Sequence, residues 1–307
     1  MRPRSNVPRP SALTAIMLGL LALAALSFSL WIAYDGASDR TVLQAERSRR
    51  LASTKRGEAL PDTPDLADLA GRLKQHGLVA GAPVFIRIFK REFELELWMK
   101  RDDRFERLGI YPICRFSGEL GPKLVEGDQQ SPEGFYTIDR RSMNPQSRWH
   151  RAFNLGFPNA LDRAHGRTGS FLMVHGGCSS VGCYAMTNPV IDELWRLVDA
   201  SLRAGQKSVH VHVFPFRMTA DNLDKRSRHA WNGFWRELKP GYDAFEATRL
   251  PPKVTVCAGH YQIERTTDDR VAAGEVAAQC GRQAAMVPDA GQGKADIHAQ
   301  ARPKLSP

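Results

Sequence analysis

The chain has 307 residues, of which 42% are hydrophobic and 25% are charged, a composition typical of a globular protein with one sizeable domain and extensions. A formal net charge of +10 favours an acidic partner, but the sequence contains no zinc-finger spacing, RNP-like aromatic motif or dense basic helix. We therefore expect no nucleic-acid partner. An anionic cell wall or membrane surface accounts for the charge equally well.

An uncharged run rich in leucine and alanine extends from Ala12 to Tyr34, after three arginines. A membrane-spanning helix needs about 20 apolar residues, whereas the apolar region of a cleavable signal has about 7–15. The length therefore predicts an uncleaved signal anchor at 12–34 behind a short cytoplasmic tail at 1–11. Arginines on both sides leave the positive-inside count nearly tied.

Residues 35–82 are interpreted as a juxtamembrane tether that ends in a short helix. From Asp35 to Asp62 the sequence is charged and nearly without apolar periodicity, which favours a solvated spacer over a juxtamembrane helix. The sequence Thr63-Pro64-Asp65 predicts a helix start, and Gly77 predicts its end.

Two apolar runs, Val84–Phe89 and Phe93–Met99, predict a β-hairpin joined by a charged turn. Arg107–Cys114 and Phe135–Ile138 predict further short strands. After this region, residues 219–262 predict a helical C-terminal extension whose aromatic residues pack into the core. Residues 263–307, with few large apolar side chains, predict a disordered tail.

Another predicted strand, Val209–Val213, places His210 and His212 on one face and its valines on the other. Two histidines at this spacing are possible zinc ligands, but no acidic or cysteine partner lies nearby in the sequence. We favour a strand whose polar face lies near an active cleft.

The stretch from Val174 to Met186 contains one histidine, three glycines, two serines and two cysteines, between an apolar strand and a helix start at Asn188, predicted as the cap. His175 and Cys183 lie eight positions apart across three glycines, so the loop can bring the sulfur to the imidazole. A thiolate is an effective nucleophile, and an imidazole can take and return its proton.

This string resembles the active-site motif of the L,D-transpeptidase (YkuD-type) catalytic domain family. It is closest to the YafK-like branch, whose motif reads His-Gly-Gly-Cys and then Ser-Val-Gly-Cys-Tyr-Ala-Met. The resemblance implies Cys183 as nucleophile, His175 as proton donor and acceptor, and the Gly176 carbonyl as the group that orients the imidazole. The short His-to-Cys interval and Val181 depart from the broader family, and both are shared by the YafK-like branch.

Segments outside the motif also resemble that branch, namely Pro83–Lys90, residues 126–136 and Asn154–Asn159. The resemblance implies a catalytic domain at 83–218 that is α+β, mainly β with helices. Its core would be a β-sandwich or barrel with flanking helices, placed after an N-terminal transmembrane helix. Together with the anchor predicted at 12–34, the resemblance implies an inner-membrane location, with the domain facing the periplasm and cell wall.

The implied reaction is acyl transfer in cell-wall biogenesis. The Cys183 thiolate would attack a peptidoglycan stem peptide and form a thioester, which an amine would resolve. One alternative is hydrolysis by the same fold, releasing a wall-linked lipoprotein or stem-peptide residues. Another is a non-catalytic wall-binding module. No cofactor is implied, and a papain-like hydrolase is disfavoured because there the cysteine precedes the histidine.

The five cysteines are too few and too scattered for a disulfide scaffold, and their odd number leaves at least one thiol free. A Cys178–Cys183 disulfide remains an alternative that would silence the site. A structural zinc site formed by His175, Cys178 and Cys183 is a further alternative that lacks a fourth ligand. The candidates for binding an anionic stem peptide are Lys123, Arg140, Arg141, Arg167 and Arg217, any of which is equally well a surface charge.

Overall fold

A computed structural model of the chain describes residues 17, 39–266, 277–278 and 280. The helices of this part are α1 (residues 39–55), α2 (Leu69–Gln75), α3 (Ala160–Ala164), α4 (Asn188–Arg203), α5 (Ala220–Asp224) and α6 (Asn232–Thr248). The strands are β1 (Val84–Phe89), β2 (Glu94–Arg101), β3 (Arg104–Pro112), β4 (Arg115–Phe116), β5 (Gly134–Ile138), β6 (Met143–Ser147), β7 (His150–Asn154), β8 (Met173–His175), β9 (Tyr184–Ala185), β10 (Val209–Phe214), β11 (Lys253–Cys257), β12 (His260–Glu264) and β13 (Ala277–Ala278).

Two five-stranded sheets form the framework, with strand orders β3-β2-β1-β10-β5 and β4-β9-β8-β7-β6. The predicted hairpin is present, because β1 pairs with β2 antiparallel from Val84 opposite Met99 to Phe89 opposite Glu94. Helix α4 contacts β1 of the first sheet and β7 of the second. Both sheets supply buried residues to one hydrophobic core.

The predicted mixed α+β class is confirmed. The barrel form of the prediction is wrong, because within the described residues both sheets are open and the edge strands of neither sheet pair with each other. A third sheet, with order β12-β11-β13, lies near the C-terminus of the described chain.

Helix α1 packs on the domain, so the prediction of a solvated spacer is wrong for its residues. Leu43 is fully buried in the core. Arg50 donates to the carbonyl of Ile113 at 3.0 Å, and Asp39 pairs with Arg91 at 2.9 Å and Arg226 at 2.7 Å. These partners lie far along the chain, so a search for local periodicity does not detect them.

Helix α2 begins six residues later than Thr63, the predicted N-cap. Asp68 is the actual N-cap, and its carboxylate accepts from the N–H of Gly71 at 2.9 Å. Asp65 accepts from the N–H of Ala67 at 3.0 Å, so this residue stabilises a turn before the helix. An aspartate side chain stabilises either a cap or a turn, and here the second aspartate starts the helix.

The C-terminal region differs from the predicted helical extension and disordered tail. Strands β11 and β12 form an antiparallel hairpin, β13 pairs with β11, and Cys280 is disulfide-bonded to Cys257. Trp235 and Leu238 of α6 are buried, as the aromatic packing prediction requires. The rest of the predicted tail lies outside the described residues.

Over the described part of the chain, no helix has the length and apolar character needed to cross a bilayer. The anchor predicted at 12–34 lies outside the described residues apart from Met17, so it stays a prediction.

Candidate active site

Two short parallel strands position the histidine and the cysteine of the motif. In the register of β8 and β9, Val174 lies beside Tyr184 and His175 beside Ala185, so Cys183 lies one position earlier, beside Met173. Side chains alternate between faces along a strand, so His175 and Cys183 project from the same face. The spacing within and between strands puts their α carbons about 8 Å apart.

The His175 ring is fixed by its own loop. Its Nδ1 lies 2.5 Å from the carbonyl oxygen of Gly176, which can only accept, so Nδ1 carries the hydrogen and Nε2 carries the lone pair. Burial lowers the pKa of His175, and the Gly176 carbonyl opposes that shift. The imidazole is therefore neutral at neutral pH and is able to accept a proton.

Cys183 has a free thiol, partly exposed to solvent. Its sulfur accepts from the N–H of Met173 at 3.4 Å and faces the carbonyl of Phe171 at 3.7 Å. Burial raises the pKa of the Cys183 thiol, while the Met173 N–H and the charge of Lys123 act in the opposite direction. The resting sulfur is therefore protonated, and its use as a nucleophile requires a base.

Glycines in the loop are required by space and backbone angle. A β-carbon at Gly176 would lie 2.6 Å from the side-chain oxygen of Asn188, so any other residue would displace Asn188 or the loop. Gly182, directly before the nucleophile candidate, has a φ of +109°, a region that glycine alone adopts readily.

The side chain of Asn188 does not cap α4, contrary to the prediction. The N-cap position belongs to Thr187, whose side chain makes no capping hydrogen bond. The Asn188 oxygen instead accepts from the N–H of Gly177 at 2.8 Å, which joins the start of α4 to the loop after His175. The sequence places a polar residue at the helix start but does not say which backbone group it reaches.

The disulfides settle the two alternatives that the sequence left open for Cys178. Cys178 is bonded to Cys114 on the segment between β3 and β4, so the Cys178–Cys183 disulfide is wrong. Because a disulfide sulfur is not a thiolate, Cys178 cannot serve as a zinc ligand while this bond is present. Cys257–Cys280 is the second bridge, so four of the five cysteines are paired and Cys183 keeps the free thiol that the odd number predicted.

Trp149 is a site residue that the sequence reasoning missed. Its ring stacks on the His175 ring with centroids 6.0 Å apart and planes 30° apart, and 42% of the residue is exposed. The turn that carries it joins β6 and β7 and is held to α4 by a hydrogen bond between the His150 ring and the Asp192 carboxylate at 2.9 Å. No local pattern marks this tryptophan, because its contact with His175 forms only when β7 pairs with β8.

The basic residues predicted to bind an anionic stem peptide fall into two groups, those in internal ion pairs and those exposed to solvent. Arg167 pairs with Asp162 at 2.8 Å, and Arg217 with Glu96 at 2.6 Å, so internal ion pairs use both guanidinium groups. Arg140 and Arg141 are exposed on a 3-10 turn before β6.

Lys123 is the candidate whose charge reaches the thiol. Its residue is 4% exposed, and its ammonium donates to the carbonyl of Val125 at 2.9 Å and pairs with Asp128 at 2.5 Å. Its charge favours the thiolate of Cys183.

The histidines of β10 do not line the site. His212 is fully buried, and its ring contacts Phe85 and Phe135 edge-on with centroids 4.7 Å away in both cases. Neither ring nitrogen has a hydrogen-bond partner among the described residues. The expected polar face is therefore an aromatic-packed core face, because α6 covers this side of the sheet with Phe245.

Comparison with known proteins identifies a family whose catalytic domain matches the part of the chain that contains His175 and Cys183. The family model described as YkuD, the L,D-transpeptidase catalytic domain, matches residues 92–214. A protein of Escherichia coli K12 named "Putative L,D-transpeptidase YafK" is 49% identical over 191 residues, which is 62% of this chain and 78% of that protein. The protein of the same name from E. coli O157:H7 matches to the same extent.

Among solved structures, Pgp2 of Campylobacter jejuni, described as a helical cell shape determining protein, is 19% identical. It aligns with a TM-score of 0.36 and covers 59% of this chain and 68% of that one. So low a score supports no argument about function.

Proposed function

Because this chain belongs to the L,D-transpeptidase (YkuD) catalytic domain family, we propose that it modifies peptidoglycan by acyl transfer through a thioester at Cys183. The observation that supports this most directly is the pairing of a free thiol with a histidine on the same sheet face. The histidine is neutral, and its Nδ1 is held by Gly176, which leaves Nε2 open.

The proposed chemistry begins with proton transfer. As the thiol attacks the carbonyl of the stem peptide, His175 Nε2 takes its proton, and the new carbon–sulfur bond forms a tetrahedral intermediate. When the carbon–nitrogen bond breaks, the imidazolium returns the proton to the departing amine. Because both groups start neutral, the histidine acts as a general base during attack and does not form a resting ion pair with the thiolate.

The second half of the reaction decides between transfer and hydrolysis. An amine that attacks the thioester gives a new cross-link or a protein attached to the wall. Water gives a free carboxylate and releases the bound group, so a hydrolase that frees stem-peptide residues or wall-linked lipoprotein is the alternative outcome. Both use Cys183 and His175 in the same roles.

We also propose that the domain faces the periplasm, anchored in the inner membrane by residues 12–34. Two disulfides, Cys114–Cys178 and Cys257–Cys280, support a compartment outside the reducing cytosol. The uncharged run in the sequence supports the anchor. A reporter fused after Phe245 should be active outside the cytoplasm, and recovery of a processed soluble form would contradict the anchor.

Incubating the purified protein with isolated cell wall, and identifying the products by mass, tests the activity. New cross-links or attached protein indicate transfer, and mass gains of one water per released group indicate hydrolysis. Cys183→Ser should abolish both. If wild-type and Cys183→Ser samples give identical products, and the wild-type protein still binds to the isolated cell wall, the protein is a binding module.

A further inference from the structure

The backbone carbonyl of Cys183 lies at the centre of a cluster of serine hydroxyls. The hydroxyl of Ser131 donates to it at 2.9 Å, and that of Ser180 donates to it at 2.7 Å. A carbonyl oxygen has two lone pairs, so two donors saturate it. The peptide plane that follows the nucleophile is therefore held from two sides.

A third serine fixes the two donors. The N–H of Ser117 donates to the Ser131 hydroxyl at 3.1 Å, and the two residues also share a backbone hydrogen bond at 3.0 Å. The hydroxyls of Ser117 and Ser180 lie 2.9 Å apart. Because the single hydrogen of Ser180 goes to Cys183, Ser117 is the donor in that contact. Both hydroxyls on the Cys183 carbonyl are thus oriented by a further group.

Behind Ser131 lies a buried ion pair. The Lys90 ammonium donates to the carbonyls of Ser131 at 3.1 Å and Gly121 at 2.9 Å, and pairs with Glu133 at 2.9 Å, both charged side chains being fully buried. The second oxygen of Glu133 accepts from the indole N–H of Trp235 at 2.8 Å. Ser131 is therefore fixed to the core through its carbonyl, while its hydroxyl reaches Cys183.

From these contacts we propose that Ser131 and Ser180 are positioning residues for the nucleophile. Their hydroxyls fix the backbone torsion of Cys183, and with it the direction in which the sulfur leaves the strand. The proposal rests on the proposed acyl transfer, because alignment matters only if Cys183 attacks a bound carbonyl. Small misplacements of a reacting group cost enzymes up to about a hundredfold in rate.

Two measurements distinguish alignment of the sulfur from activation of the thiol. Turnover depends on both, whereas alkylation by a small reagent depends on the thiolate fraction. In the full-length protein, Ser131→Ala and Ser180→Ala should each lower turnover of muropeptides from purified cell wall by about tenfold or more. Alkylation of Cys183 by iodoacetamide should change by less than about twofold at each pH, because its rate follows the thiolate fraction. Ser180→Thr, which keeps the hydroxyl, should restore turnover.

A carbonyl measurement tests the contact without any substrate. Protein labelled with carbonyl-¹³C cysteine should give a Cys183 signal, identified by its loss in Cys183→Ser. The signal should shift in both alanine variants and return in Ser180→Thr. Ser201→Ala, a buried serine at the far end of α4, should leave both this signal and turnover unchanged.

An unshifted carbonyl signal in the alanine variants would overturn the inference, and so would a shifted signal with wild-type turnover. A parallel loss of turnover and alkylation would also reject it, because it would indicate thiol activation. If the wild-type protein turns over no muropeptide, the proposed function fails, and the carbonyl signal still decides whether the two hydroxyls hold Cys183.

Discussion

The side-chain oxygen of Asn188 accepts a hydrogen bond from the backbone N–H of Gly177 at 2.8 Å. Asn188 is the first residue of α4, and Gly177 follows the glycine whose carbonyl holds the His175 ring. The contact therefore ties the start of α4 to the loop that orients the imidazole. A neutral hydrogen bond of this kind contributes about 1 kcal/mol.

Asn188→Ala should loosen this loop and lower turnover by about tenfold, because the base would spend less time aligned. Asn188→Asp keeps the acceptor and should retain more activity. Thr187→Ala is the matched control, since the Thr187 side chain makes no capping hydrogen bond. Steady-state turnover with each variant measures the effect, and equal activity in Asn188→Ala and Thr187→Ala would remove the contact from the mechanism.

The chemistry predicts a covalent adduct at Cys183. A carbapenem, whose strained amide resembles an acyl donor, should acylate the wild-type protein, and Cys183→Ser should show no adduct. Because burial raises the pKa of this thiol, His175→Ala should react slowly at neutral pH and recover as the pH rises toward thiolate formation. Mass spectrometry of the peptides locates the adduct, and an adduct on another cysteine would overturn the assignment.

The Cys114–Cys178 bridge predicts a stability effect without loss of chemistry. The two residues are 64 positions apart, so the disulfide should stabilise the fold by about 4 kcal/mol through its effect on the unfolded chain. Cys114→Ala/Cys178→Ala should therefore unfold at lower denaturant concentration yet retain measurable turnover. A folded double variant that is as inactive as Cys183→Ser would assign Cys178 a direct role.

Burial of the Lys90–Glu133 pair predicts a large penalty when one partner is removed. Glu133→Gln leaves the Lys90 charge without its counter-ion and should destabilise the fold by about 3–5 kcal/mol. Glu264→Gln removes the partner of Lys253 at the surface, where both side chains are exposed, and should cost less than about 1 kcal/mol. Urea unfolding of both variants measures the difference. Similar decreases in the free energy of unfolding would show that burial does not make the Lys90–Glu133 pair more important for stability than the surface pair.

His212 predicts acid sensitivity of the fold. Burial, with smaller contributions from His210 and Arg87, holds the pKa of His212 well below its ordinary value of 6.5. Below pH 6.5 the unfolded state binds a proton at this histidine that the folded state does not bind. The free energy of unfolding therefore loses nothing to His212 above pH 6.5 and falls as the pH drops below it. The loss attributable to this group at pH 5 should be at most about 2 kcal/mol, the value for a folded state that binds no proton there.

His212→Phe should remove that dependence, because phenylalanine fills the same aromatic surroundings without titrating. The variant and the wild-type protein are compared by denaturant unfolding between pH 5 and pH 8. His260→Gln, a change at an exposed ring, should keep the wild-type pH dependence. An unchanged slope in His212→Phe would show that another group causes the acid loss.

Local sequence was sufficient for the elements whose signals lie within a few residues. The two apolar runs of residues 84–99 and the charged turn between them predicted the hairpin, because all of that signal lies within a few neighbouring residues. The glycines, the histidine and the cysteine between Val174 and Met186 identified the candidate nucleophile and base together with the family. Residues Asn188 to Gly205 predicted α4 with its buried face.

Tertiary structure alone decided which distant groups meet. Cys178 is bonded to Cys114 and not to Cys183, and Trp149 lies over His175. Ser131, 52 positions before Cys183, reaches its carbonyl. Composition and periodicity depend on neighbours along the chain, whereas these contacts form only after sheets and helices have packed. The residues next to a cysteine, serine or tryptophan in the sequence are the same whichever distant group it contacts. Its partner is therefore determined only by the packing of the folded chain.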